Sequence, residues 1–195
     1  VVGESGSGKS ITARAILNMV PGPGSINGGQ IVFNPDGLGQ INLTSLDPRG
    51  KPIRKIRGGR IGMIFQEPMS SLSPIHTIGN QITEVIQLHR NVDKKTARQM
   101  AIAALAQVEI PKPEKAVDRY AFEYSGGMRQ RAMIAMALSC QPDVLIADEP
   151  TTALDVTTQA EILDLMKSLQ RELDTAIMFI THDMGVVAEI ADEVV

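Results

Sequence analysis

Apolar positions recur along the chain with two different periods, and the change of period divides it into three stretches. At the start, Val1-Val2 leads into a glycine-rich segment that reads as strand and loop. Residues 10–19 then read as a helix, broken by Pro21-Gly22-Pro23-Gly24. Residues 30–34 and 40–43 read as short strands across the turn signal Pro35-Asp36-Gly37. Residues 60–65 form a strand of the buried type that delivers Gln66 to its end. Helical spacing then takes over: Ile78, Ile82, Val85, Ile86 and His89 fall on one face, as do Ala97, Met100, Ala101, Ala104 and Leu105. Pro111 and Pro113 close that pair, and a further helix is predicted after Ser125-Gly126-Gly127, to about Leu138. The last third alternates again. Residues 143–147 and 175–180 are apolar strands, 157–172 a helix with Ile162, Leu165, Met166 and Leu169 on its core face, and 184–191 a short helix.

Strand–helix alternation at this spacing predicts an α/β fold, a mainly parallel sheet with helices on both faces and an inserted α-helical subdomain. The expected division of a single domain over 1–195 is an α/β core from 1–77 and 137–195, with the helical subdomain at 78–136. No internal repeat or low-complexity segment is present.

Composition narrows the function. The chain has 195 residues, 43% hydrophobic and 3% aromatic, with a formal charge of −3. A mildly acidic chain poor in rings argues against a nucleic-acid partner. The longest apolar run, 132–138, falls far short of the ~20 residues that span a bilayer. A single cysteine, Cys140, allows no internal disulfide and suits a reducing compartment. The sequence lacks an initiating Met and stops at Glu193-Val194-Val195, which reads as the opening of a strand. It is therefore expected to be an internal stretch of a longer protein.

Two segments carry chemistry. Gly3-Glu4-Ser5-Gly6-Ser7-Gly8-Lys9-Ser10 fits the P-loop pattern G-x-x-x-x-G-K-[ST] at every fixed position. Glycines let backbone N–H groups wrap a phosphate chain, and the following helix aims its positive end at it. Lys9 can reach the outer phosphates and the Ser10 hydroxyl can ligate Mg²⁺. A plain glycine-rich turn is the alternative, but strand, loop and helix follow in the order that the motif requires. In the second segment, Val144-Leu145-Ile146-Ala147 forms a buried strand with Asp148 and Glu149 emerging at its C-terminal edge, where open α/β sheets bind ligands. Asp148 is placed to hold Mg²⁺ and Glu149 to polarise an attacking water. Alone, the two carboxylates could equally cap the next helix; the upstream P-loop favours the catalytic reading.

Tyr124-Ser125-Gly126-Gly127-Met128-Arg129-Gln130-Arg131, with Gln66, Ala153-Leu154-Asp155 and His182, closely resembles the nucleotide-binding subunit of ATP-binding cassette (ABC) transporters. The motifs stand in the family's order over essentially the whole chain. Ser-Gly-Gly opening a helix is independently a second backbone anion site, although an N-cap on a flexible turn explains it as well. The resemblance implies an ATPase using ATP and Mg²⁺. It implies that Gln66 contacts Mg²⁺ and water, and that Ser125, Gly126 and Gly127 bind the γ-phosphate of a partner subunit's ATP. Asp155 would cross the dimer interface and His182 would hold the γ-phosphate; outside this constellation a His after an apolar strand is usually only a polar strand end. The family stacks adenine on a ring upstream of the P-loop, ahead of this sequence.

The runs 65–74 and 125–131 look like the peptide/nickel importer branch and its D-type ATPase, in which Met128 replaces the usual Gln. That branch implies a partner ATPase of different sequence, two transmembrane permease subunits and an extracytoplasmic solute-binding protein, at the cytoplasmic face of the inner membrane. In the family the segment after Gln66 meets a short helix of the membrane subunit, and Met69, Leu72, Ile75 and Ile78 are expected to leave apolar area exposed there. The basic stretch 49–60 reads as a solvated edge, and the 10 methionines as core filler. Alternatives are an ABC-type ATPase of DNA repair or chromosome maintenance, disfavoured because no heptad run separates Lys9 from Ser125, and a non-hydrolysing regulatory module, disfavoured by Glu149 and His182.

Overall fold

The computed structural model describes residues 1–35, 37, 39–66, 71–152 and 154–195. Asp36, Met69 and Ala153, singled out above, lie outside the described residues. The chain runs through α1 (Lys9–Ile16), β1 (Val32–Phe33), β2 (Ile41–Asn42), α2 (Lys51–Ile56) and β3 (Ile61–Ile64). Then come α3 (Ile78–His89), α4 (Lys94–Gln107), α5 (Pro113–Ala116) and α6 (Gly126–Leu138). The last elements are β4 (Val144–Asp148), α7 (Val156–Leu173), β5 (Ala176–Ile180) and α8 (Met184–Ile190).

β3, β4 and β5 pair in parallel in that order, with Ile64 opposite Ala147 and Asp148 opposite Ile180. Val2 continues the sheet through a parallel bridge to Thr181. β1 and β2 form a separate antiparallel pair, Val32 opposite Asn42. Side chains of β4 alternate between two apolar clusters, as expected of a strand buried on both faces. Leu145 and Ala147 join Ile64, Ile134, Ile162 and Leu165 beneath α6 and α7. Ile146 joins Ile61, Ile180, Ala13 and Leu17 beneath α1.

The first cluster runs on without a break into the helical stretch, through Ile78, Ile82 and Ile86 of α3 and Ala97, Ala101 and Leu105 of α4. α6 crosses from that stretch onto the sheet, so residue 136 falls inside a helix. Gly62 makes the crossing possible: a Cβ there would lie 2.7 Å from Ala137 O.

Side-chain caps start the helices. Thr77 accepts from Asn80 N at α3, Asp93 from Thr96 N at α4, and Asp183 from Gly185 N at α8.

Three expectations need correction. α2 interrupts the basic stretch, with Ile53 and Ile56 buried against the second cluster. Within that stretch Arg57 donates to Leu17 O (2.7 Å), Asn18 O (2.7 Å) and Pro48 O (2.9 Å), capping the end of α1. Arg60 forms a two-point ion pair with Asp143, so both arginines serve the fold rather than a solvated edge. The first helix also ends sooner than 19, because Asn18 takes a left-handed φ of 52°. Finally, Leu72 and Ile78 are buried, 5% and 1% exposed, while Ile75 is 76% exposed. Two of the supposed surface residues had been claimed by the core.

Gly62→Ala should destabilise the chain by about 1–3 kcal/mol, since backbone rather than a flexible side chain must give way. Chemical denaturation would read the change; an unchanged midpoint would mean that α6 is free to lift from β3.

Candidate active site

The segment from Gly3 to Ser10 folds as a loop around its own backbone amides. Gly6 and Gly8 take left-handed φ values of 84° and 97°, which other residues adopt at a cost. Ser7 N donates to Glu4 O (3.2 Å), and a Cβ on Gly3 would meet Ser7 Oγ at 2.8 Å. Residues 4–8 are exposed. Lys9 is 8% exposed, its Nζ donating to Gly3 O (2.7 Å) and Glu4 O (2.8 Å). α1 begins at Lys9 with no side-chain cap, so its first amides remain available to an anion and the helix dipole favours one. Ala13 and Leu17, buried in the second cluster, seat α1 against the sheet and so fix where that end points.

The sheet brings the other groups to the same edge. Asp148, 2% exposed at the end of β4, accepts from Ser10 Oγ at 3.0 Å. Glu149 follows in left-handed backbone, φ 47°, its N–H donating to Ile180 O (3.0 Å). A non-glycine residue in that region stores strain, a recurrent property of functional sites. The Glu149 carboxylate accepts from Gln66 Nε2 (3.0 Å) and Thr152 Oγ1 (3.1 Å) on Oε2, and faces His182 Nδ1 (3.1 Å) on Oε1. A carboxylate only accepts, so His182 carries its proton on Nδ1.

Burial is the largest single influence on Glu149 and pushes its pKa upward. Hydrogen bonds from His182 and Thr152, with the charges of His182 and Lys9, together outweigh it and hold the group below its ordinary value. Glu149 is therefore an ionised carboxylate at neutral pH, suited to orienting a water and accepting its proton late.

Ser10 Oγ and Asp148 Oδ1 form a sparse pair of hard oxygen donors, and Gln66, which donates to Glu149 through Nε2, could add its Oε1. Among the described residues no cluster of three or more His, Cys, Asp or Glu could cage a metal. This donor set fits Mg²⁺, which keeps several waters and takes one or two protein oxygens plus phosphates.

Ser125, Gly126, Gly127 and Asp155 take local roles of their own at the starts of α6 and α7. No hydrogen bond among the described residues joins them to the corner around Glu149. Ser125 caps α6, accepting from Met128 N (3.3 Å), and Gly127 lies against α7, where a Cβ would sit 2.9 Å from Thr158 Cγ2. Asp155 caps α7, accepting from Thr158 N (3.0 Å) and Thr158 Oγ1 (2.8 Å); those bonds hold its pKa low. The local capping roles are thus filled, with Ser125, Gly126 and Asp155 all exposed.

Sequence reasoning missed Thr152 and the cavity of about 540 Å³ behind Gln66, walled by Met63, Phe65, Met133 and Met136 with Arg14 and Asp148. Only the Thr151-Thr152 pair after Asp148-Glu149-Pro150 could have hinted at the first; nothing local signals the second.

Residues 1–152 match a family model described as ABC transporter. The chain is 53% identical over its whole length to the oligopeptide transport ATP-binding protein OppD of Bacillus subtilis, covering 52% of that protein. It is also 53% identical to the glutathione import ATP-binding protein GsiA of Pectobacterium atrosepticum, covering 31% of it. The chain thus spans about half or less of these two curated relatives. Among solved structures, the dimeric ATP-binding cassette MJ0796 in a post-hydrolysis state bound to ADP and Pi superposes with TM-score 0.77 at 30% identity. That match covers 95% of this chain and 74% of the other. The expected α/β P-loop core with a helical insertion is the fold of these structures, with the antiparallel β1–β2 pair as its mixed element.

Because Glu149 is depressed below 4.5 in the folded chain, its stabilising share is complete above that value and lost as pH falls through the folded pKa. The difference in Tm between wild type and Glu149→Gln should be flat well above the ordinary carboxylate range and shift against wild type as pH falls through and below it. A flat difference throughout would mean that the carboxylate is not held by its neighbours.

Proposed function

Because the chain belongs to the ABC transporter family, we propose that it binds ATP with Mg²⁺ and hydrolyses it to power import of peptides, or of nickel or related small solutes, across the cytoplasmic membrane. The observation that carries this reading is the corner itself: Ser10 on Asp148, and Gln66 and His182 on Glu149, at the mouth of a P-loop.

The loop amides, Gly3, Ser5, Gly6, Ser7 and Gly8 among them, wrap the phosphate chain, and Lys9 neutralises its outer charges. Ser10, Asp148 and Gln66 would hold Mg²⁺, which when bound would supply positive charge to the phosphate oxygens. Glu149 orients the attacking water and takes its proton, Gln66 positions that water, and His182 braces Glu149 and the γ-phosphate. Ser125, Gly126 and Gly127 serve the nucleotide of a second ATPase subunit of different sequence, and Asp155 crosses between the two.

Two transmembrane permease subunits and an extracytoplasmic solute-binding protein complete the assembly, with no nucleic acid. Relatives named for oligopeptide, glutathione and peptide import support this over chromosome maintenance. No described helix is long and apolar enough to cross a membrane, which accords with a peripheral subunit at the cytoplasmic face of the inner membrane. The docking surface for the permease contains Ile75 and the Tyr120–Phe122 pair. Those rings stack at 5.4 Å, Phe122 is 66% exposed, and a bridge between Thr77 and Tyr120 brings the two segments together. Exposed apolar area of this kind marks partner sites.

In the full-length protein with its partner, Glu149→Gln should keep ATP binding and lower turnover by ~10²-fold or more, whereas Lys9→Ala should lose binding. Phosphate release at saturating ATP measures both, and unchanged turnover in Glu149→Gln would remove that residue from the mechanism. Ile75→Asp with Phe122→Asp should abolish transport in vesicles while basal ATPase activity stays within about twofold of wild type, since neither touches the corner.

A further inference from the structure

Two buried side-chain nitrogens among the described residues have no hydrogen-bond partner, Arg14 Nε and Gln130 Nε2. Gln130 is 1% exposed, in the second turn of α6. Leaving a buried amide unpaired costs stability that an apolar side chain of equal length would not. Its place on the helix is informative. Three residues earlier, Gly127 touches Thr158 at the start of α7. Three residues later, Met133 walls the cavity behind Gln66 together with Phe65. Residues three apart are neighbours on a helix surface, so Gln130 lies between the Ser125–Gly127 turn and the end of β3. Arg131, next along, is already fixed: its guanidinium donates to Val108 O (3.0 Å), Glu109 Oε2 (2.9 Å) and Glu161 Oε2 (3.3 Å). Arg131 thus has its donors placed, whereas the buried Gln130 beside it keeps an unpaired Nε2.

We propose that Gln130 is a positioning residue linking the Gln66 corner to the Ser125–Gly127 turn: its unpaired amide takes a main-chain carbonyl at the end of β3 when Gln66 releases Glu149, and so sets the pose of α6. The inference rests on the ATPase reading above. It assigns the unpaired state to the form described here and the paired state to the ATP-bound form. An amide kept for the second form explains why the first tolerates an orphan donor.

The test uses the full-length protein with its partner ATPase and the near-isosteric Gln130→Met, with Gln130→Leu as a second apolar replacement. Both should have a nucleotide-free Tm at or above wild type, and ATP affinity at this chain's P-loop within about twofold of wild type. Their kcat should fall about tenfold, the scale of one neutral hydrogen bond in the closed state. ATP should protect the amides of residues 125–129 from hydrogen exchange in wild type and not in the variants. Unchanged kcat, or a kcat loss matched by a fall in nucleotide-free Tm, would overturn the proposal and make Gln130 a packing residue. Wild type that binds ATP without any response in α6 would overturn it alone. Wild type that does not bind ATP would overturn the ATPase reading itself.

Discussion

Three parallel strands ending in step are the constraint on which the rest of the molecule depends. With Ile64 level with Ala147 and Asp148 level with Ile180, the residues just past each strand end, Gln66, Glu149 and His182, reach one another. A one-residue slip of β4 would turn Leu145 and Ala147 to the opposite face and carry Asp148 away from Ser10. The two apolar clusters forbid that slip, since each accepts only every second side chain of the strand. Burial of aliphatic residues thus sets the placement of carboxylates that do not contribute to it.

The same economy governs the corner. Glu149 is desolvated, which alone would favour its neutral form, yet hydrogen bonds from His182 and Thr152, with the charges of His182 and Lys9, keep it charged, while Gln66 also donates to it. Each donor comes from a different part of the chain: Gln66 from beyond β3, Thr152 from the turn after β4, His182 from beyond β5. One carboxylate therefore ties three segments together through its hydrogen bonds.

What the sequence disclosed follows from how local each signal is. The P-loop is contiguous and its mechanics are written in its glycines, so Gly3 to Ser10 could be read directly. β4, with four apolar residues before two carboxylates, was equally plain, whereas Gln66 and His182 were marked only by the family resemblance, and their meeting on Glu149 appears only in the fold. α2 was hidden because only Ile53 and Ile56 mark its buried face, too short a period to stand out among lysines and arginines. Arg57 and Arg60 looked like surface charge because their partners, Leu17 and Asn18 in one case and Asp143 in the other, are distant in sequence. Leu72 sits among Ser and Pro with no period to place it, and only the tertiary cluster decides that it is inside; Ile78 opens the helical period of Ile82 and Ile86, which already marked it as a core position. Asp155 had a cross-subunit role in view, while its immediate occupation, capping α7, is the local one any Asp before a helix performs.

Lys9 has a consequence of its own. An ammonium group has three N–H bonds, and here two of them are spent on Gly3 O and Glu4 O. Those two bonds fix the direction of the third, because the tetrahedral nitrogen leaves it no other. The flexible four-carbon arm, ordinarily a searching tether, becomes a short rigid strut whose last donor is aimed before any anion arrives. An incoming phosphate oxygen meets a donor whose rotational freedom was already surrendered on folding, so encounter demands little further ordering from the protein.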